Sequence, residues 1–186
     1  MNLLDAIQQR RSIKRFTERP VTREEIERLI AAATLAPNHK LNQPWRFHVL
    51  GPDARHAYGA ALGERKAKKA ATPEAGRALR DTVANEHRAL PAMIVVAVAK
   101  SDNPETAEED YAAAMMAVQN ISLAAVDLGL GTHIKTGAVM ADPAARAAAG
   151  VGDDERIVAV VNVGEPADVP PAKPRNPVSS CTSWLP

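Results

Sequence analysis

Hydrophobic positions along this chain alternate between two spacings. Leu3, Leu4 and Ile7 recur at helical spacing behind Asn2, a good capping side chain, and predict a short helix ending at about Arg10. Thr22 followed by Glu25 forms a capping box, and Ile26, Leu29, Ile30 and Ala33 supply the apolar stripe of a second helix that Pro37 ends. Trp45 to Leu50, bounded by Pro44 and by Gly51-Pro52, predicts a short strand. Arg55 to about Ala70 and Pro73 to about His87 follow as helices with charged faces. Met93 to Ala99 is continuously apolar, as a strand buried on both faces would be, and predicts a central strand. Glu108 to Leu128 is the longest helical pattern. It is apolar nearly all round, which predicts burial on several sides and packing against a partner subunit. Gly129 and Gly131 stop that helix, and Thr132 to Thr136 is a strand or extended loop. Asp142-Pro143 opens a helix ending near Gly150, and Ile157 to Val163 forms a last buried strand. From Gly164 onward prolines dominate through Pro177, which predicts an extended arm.

Helices that separate and outnumber strands indicate an α+β or α/β sandwich with helices flanking one sheet. The expected organisation is one domain over residues 1–186, with 165–186 as its Pro-rich arm. Composition refines this picture. Apolar residues make up 46% of the chain but aromatics only 3%, so the core must come from Ala, Val, Leu and Ile in closely packed elements. A net charge of +1 provides no general attraction for nucleic acid or anionic membrane. The single cysteine, Cys181, excludes an internal disulfide framework and a Cys-rich metal site. No stretch reaches the ~20 apolar residues of a membrane span, and the expected location is the cytoplasm.

Chemistry concentrates in four segments. Arg10-Arg11-Ser12, followed by Lys14 and Arg15, places guanidinium donors beside a hydroxyl, a combination suited to a phosphate dianion. Complementing the dipole at a helix C-terminus is the alternative role for these cations. Ala36 to Trp45 (Ala-Pro-Asn-His-Lys-Leu-Asn-Gln-Pro-Trp) is a loop rich in amides and ring donors. Gly129-Leu130-Gly131-Thr132-His133-Ile134-Lys135-Thr136-Gly137 fails as a dinucleotide fingerprint, because its glycines follow a helix rather than linking a strand to one. Lys173-Pro174-Arg175 adds two cations near the end. The basic run Glu64 to Lys69 reads as solvated helix surface, since no aromatic interleaves it.

Taken in order, these four segments resemble the nitroreductase family of FMN enzymes, over the whole chain. Asn38-His39 stands where many members carry small hydroxyl residues, and Leu41 where many carry Asn; the Pro-x-His-Lys form resembles a subgroup of small members. The resemblance implies a mainly antiparallel sheet flanked by helices, a long buried dimer helix and an extended C-terminal arm. It also implies FMN contacts from Arg10, Arg11, Ser12, Lys14, Leu35, Pro37, Asn38, His39, Gln43, Ile134, Lys135, Thr136, Gly137 and Arg175. Arg10 is the candidate cation for the flavin pyrimidine edge, with Arg11 and Ser12 on the phosphate. The flavin N5 would carry the chemistry, with no catalytic protein side chain and no metal. NADH or NADPH would be the reductant, and an electron-poor small molecule such as a nitroaromatic or quinone the acceptor, in ping-pong order. The implied assembly is a homodimer with FMN sites at its interface, binding neither nucleic acid nor membrane. Dehalogenation, enone reduction, flavin destruction or non-catalytic flavin binding remain as alternatives on the same fold.

Overall fold

Four strands, β1 (Trp45–Val49), β2 (Ala92–Ala99), β3 (Gly131–Lys135) and β4 (Glu155–Gly164), form one antiparallel sheet in the order β1-β2-β4-β3 in the computed structural model, which describes residues 1–186. The uninterrupted apolar run of β2 has a direct explanation in this order, since β2 lies inside the sheet and carries helices on both faces. Ile94, Val96 and Val98 point to one side, and Met93, Val95 and Ala97 to the other. The first side packs against α2 (Arg23–Thr34) and α5 (Pro104–Asp127), while the second packs against α3 (Pro52–Ala67) and α6 (Pro143–Ala148). The scarcity of aromatics is met as composition requires: Ala113, Ala114, Ala117 and Ala125 bring α5 close to the sheet.

Local signals explain where elements begin. The Asn2 side chain accepts a hydrogen bond from the Asp5 N–H (2.9 Å) at the start of α1 (Leu3–Gln9). Thr22 and Glu25 form both halves of a capping box on α2. Thr72 caps α4 (Pro73–Arg88), which packs on α3, and Asp142 caps α6.

Two helix starts differ from expectation. α3 begins at Pro52 and α5 at Pro104, because each proline occupies the first turn of its helix, where no N–H is needed. The arm beyond β4 is extended except for a short 3₁₀ turn at Val178–Ser180. The apolar side chains of α1 also behave differently. Ala6 is the buried residue there, while Leu3, Leu4 and Ile7 stay exposed at 66%, 67% and 49%, so this stripe does not serve the chain's own core. α5 is likewise open along part of its length, with Met116 and Gln119 exposed. No helix is long and apolar enough to cross a membrane.

Candidate functional site

The segment after α1 is held by two distant parts of the chain. Ser12 bridges Thr132 in parallel fashion, and the Ile13 N–H donates to the Thr132 carbonyl at 2.9 Å, so residues 12 and 13 lie along the outer edge of β3. Ile13 is buried against Gly131, where a Cβ would collide with the Ile13 side chain; glycine is required there by close approach. Just beyond, Thr17 N–H donates to the Glu165 carbonyl (2.9 Å) and Ala167 N–H to the Arg15 carbonyl (3.1 Å), which ties the start of the arm to the same segment.

This arrangement leaves a groove of about 1170 Å³ between the α1 end, Gln119 of α5 and arm residues 168–175. Six basic side chains, Arg10, Arg11, Lys14, Arg15, Lys173 and Arg175, line it with one acid, Asp168. Asp168 is engaged by Arg15 at 2.9 Å, and that hydrogen bond raises the Arg15 pKa. Arg11 is partly committed, since its Nη1 donates to the carbonyls of Gln8 (2.6 Å) and Arg10 (2.9 Å), completing the end of α1. Its Nε is buried with no acceptor. A buried donor without an acceptor costs about 1–3 kcal/mol, so a groove lined by unpaired donors is built for an anion. Ser12 also lines the groove.

At the far end of β3 the side chains diverge. Ile134 packs into the core shared with α5, whereas Lys135 lies on the α3–α4 side and does not line the cationic groove. Thr136 and Gly137 are exposed beyond the strand, and Gly137 has φ 145°, a backbone conformation that side chains disfavour. Lys14 connects the two ends, because its charge is felt at His133. Burial first, then Lys135 and Lys14, lower the His133 pKa and favour its neutral form.

The loop between α2 and β1 stands apart. None of Leu35, Pro37, Asn38, His39 and Gln43 lines the groove of its own chain. Their polar groups are used within the loop or against α5. Asn38 Oδ1 accepts from the Gln43 N–H (2.9 Å), Asn38 Nδ2 donates to the Ala36 carbonyl, and His39 Nδ1 lies 3.1 Å from Glu109 Oε1. Lys40, Leu41 and Gln43 have left-handed backbones, with φ 50°, 54° and 47°, although none is glycine. Leu35 and Leu41 are exposed at 81% and 77%.

The structure therefore unites Arg10, Arg11, Ser12, Lys14 and Arg175 in one groove, places Ile134 to Gly137 at the end of the adjoining strand, and leaves the 35–43 loop elsewhere on the chain. Gln8, Gln119 and Asp168 also line the groove and carry no motif in the sequence. The one available clue was chain order, since Asp168 precedes Lys173 in the proline-rich segment. No group of three or more His, Cys, Asp or Glu side chains could hold a metal ion.

Comparison with known proteins supplies the family. YfhC of Bacillus subtilis, named as a candidate NAD(P)H nitroreductase, is 30% identical over 179 residues, covering 95% of this chain and 90% of YfhC. YdjA of Escherichia coli K12, named in the same way, is 30% identical over 167 residues, 89% of each chain. Among solved structures, a nitroreductase-like protein from Bacillus cereus superposes with a TM-score of 0.85 at 29% identity, over 100% of this chain and 96% of the other. A Desulfovibrio desulfuricans protein solved in complex with FMN gives 0.75 at 27% identity, over 99% and 96%. The model of the nitroreductase family matches residues 7–165, from the end of α1 through the start of the arm, and the chain belongs to this family of oxidoreductases.

Proposed function

We propose that this protein is an FMN-dependent oxidoreductase that uses NADH or NADPH to reduce an electron-poor small molecule, such as a nitroaromatic or a quinone. The observation that carries the reading is the groove in which six cations face one paired acid on a chain of net charge +1. The FMN complex of the similar Desulfovibrio protein supports the choice of anion. Bound there, FMN would supply two-electron chemistry at its N5, alternating between reductant and acceptor in ping-pong order.

The chain's own residues then have distinct tasks. Arg10, Arg11 and Ser12, joined by Lys173 and Arg175 from the arm, hold the phosphate, and each charge-assisted bond contributes about 1.5–3 kcal/mol. Lys14 is better placed than Arg10 for the polar edge of the ring, because it lies toward His133 while Arg10 lies at the α1 end. A cation there would stabilise negative charge developing on the ring. The backbone of Ile134 to Gly137 flanks the ring, and Lys135 contributes through its main chain. Leu35, Pro37, Asn38, His39 and Gln43 reach a flavin only from a second copy, so the active assembly is a homodimer. The exposed Leu3, Leu4, Ile7 and Met116 provide apolar surface for that association. NAD(P)H as reductant suits a cytoplasmic setting.

The visible absorption spectrum of the purified protein, before and after incubation with FMN, tests the reading. A yellow dimer bleached by NAD(P)H and recoloured by a nitroarene or quinone is expected. A colourless protein that takes up no FMN would overturn the proposal, and stable flavin that NAD(P)H cannot bleach would reduce it to a flavin-binding protein.

A further inference from the structure

Beyond the end of β3 the sheet is left with an open edge. β3 pairs with β4 from Gly131, opposite Gly164, to Lys135, opposite Val160, so on that side β4 is unpaired from Glu155 to Ala159. A chamber of about 430 Å³ lies along this edge. Thr136 and Gly137, which the flavin reading places beside the ring, form one of its borders, and Lys100, Tyr111, Arg146 and Arg156 line the rest. Met140 and Val158 add apolar surface.

Three of these side chains are cations, and no acid lines the chamber. Their partners within the protein are neutral. Lys100 Nζ donates to the Asp153 carbonyl (2.6 Å), and the Arg146 guanidinium donates to the carbonyls of Glu155 (3.1 Å) and Gly152. Arg156 makes no hydrogen bond or ion pair; its guanidinium carbon lies 5.1 Å from the centre of the Tyr111 ring. Carboxylates on the surrounding elements are engaged elsewhere. Glu155 accepts from the Gly152 N–H (3.0 Å) and lies 3.4 Å from His48 Nε2, Asp110 accepts from Asn42, Glu109 faces His39, and Asp142 caps α6. Asp102, Glu108, Asp153 and Asp154 are exposed, and their carboxylates form no ion pair with the three cations.

A cleft lined by one sign of charge concentrates ions of the other sign. A guanidinium stacked on an aromatic ring keeps its in-plane N–H groups free for a carboxylate. Tyr111, Met140 and Val158 favour an organic body over a bare inorganic ion. We propose that this chamber selects anionic acceptors, namely nitroaromatic acids whose carboxylate meets Arg156 and Lys100 while the nitro group is directed toward Thr136 and Gly137. The assignment rests on the flavin reading and names its acceptor class. In one turn R–NO2 becomes R–NO: NAD(P)H gives up a hydride, solvent gives a proton, one N–O bond breaks, and its oxygen leaves as water. The chamber's part is to hold the acid end of a compact acceptor. The 2′-phosphate of NADPH, by contrast, lies at the far end of the dinucleotide from its reacting nicotinamide.

Calorimetric titration of the FMN-incubated full-length protein with 4-nitrobenzoate, and with 4-nitrobenzamide as its neutral counterpart, tests the assignment alongside kcat/KM for the same pair. The acid should be preferred at least about tenfold in both measurements. Arg156→Gln should reduce that preference about tenfold and Arg156→Lys by less, since the charge survives but the planar fork does not. Equal affinity of acid and amide for the parent protein, or a preference unaltered by Arg156→Gln, would overturn the proposal. An intact preference accompanied by a higher KM for NADPH but not for NADH would overturn it in favour of the reductant's phosphate. Absorbance of the same samples reports FMN uptake. Protein that takes up no FMN refutes the flavin reading, while the calorimetric comparison on that protein still decides whether the chamber prefers the acid.

Discussion

The segment from Arg10 to Arg15 and the loop from Leu35 to Pro44 both carry motif residues, yet they are prepared in opposite ways. The first is anchored by its backbone to β3 and to the start of the arm, which leaves the side chains of Arg10 and Lys14 without partners and Arg11 Nε without an acceptor. The second spends its side chains on itself and on Glu109 and Asp110 of α5, and holds Lys40, Leu41 and Gln43 in left-handed conformations. A charged receptor needs rigid support with its donors unpaired, so support comes from main-chain pairing. A loop that must present a fixed surface can use side-chain bonds to hold backbone strain, which costs about 1–2 kcal/mol per left-handed residue.

The comparison can be broken most severely at Gly131. Gly131→Val should push Ile13 off the strand edge and destabilise the fold by about 3 kcal/mol, lowering Tm by roughly 6–12 °C in calorimetry, with loss of FMN uptake. Arg10→Ala separates charge from support. FMN affinity should fall about ten- to a hundredfold in fluorescence titration while Tm of the FMN-free protein moves little, and unchanged affinity would remove Arg10 from the receptor. Lys40→Gly tests the loop's strain and should act in the reverse sense, stabilising by about 0.5–1 kcal/mol because glycine tolerates φ near 50°. A fall in Tm would mean that the Lys40 side chain, not its backbone, matters.

The smallest expected effect concerns pH. His87 and His133 both have pKa values lowered from 6.5, with burial the largest cause. The unfolded chain then takes up protons that the folded chain refuses. Their contribution to stability is complete above pH 6.5 and declines as pH falls from there toward the lowered folded values. Tm should therefore decrease between about pH 7.5 and 5.5, and His87→Gln should flatten that slope. A variant with the parent's slope would exclude His87 as the source.

Features governed by neighbours a few residues apart were legible in the sequence. The Thr22–Glu25 box, the Asn2 and Asp142 caps and the apolar run of β2 all form from contiguous residues and appear as expected. Gly51-Pro52 bounds the predicted strand as a turn signal, yet a proline can equally open a helix, and here Pro52 opens α3 as Pro104 opens α5. The stripe of Leu3, Leu4 and Ile7 established a helix but not what it faces; spacing does not distinguish a chain's own core from another surface. At the site, the order of motifs was visible, whereas the Ser12–Thr132 bridge was not. Pairing across 120 positions is settled by the packing of Ile13 against Gly131 and by the tether at Glu165, and no local pattern encodes it.

That tether has a consequence for biosynthesis. Arg10, Arg11 and Arg15 leave the ribosome well before the strand edge they lean on, which arrives at residue 131, and before the chain that clamps them at 165–167. During most of translation these cations have nothing to be held against. A chain cut short before β3 would carry Arg10, Arg11 and Ser12 without the strand edge and the tether that hold them, so if these residues capture the cofactor, capture would report that β3, β4 and residues 165–167 had been made and folded.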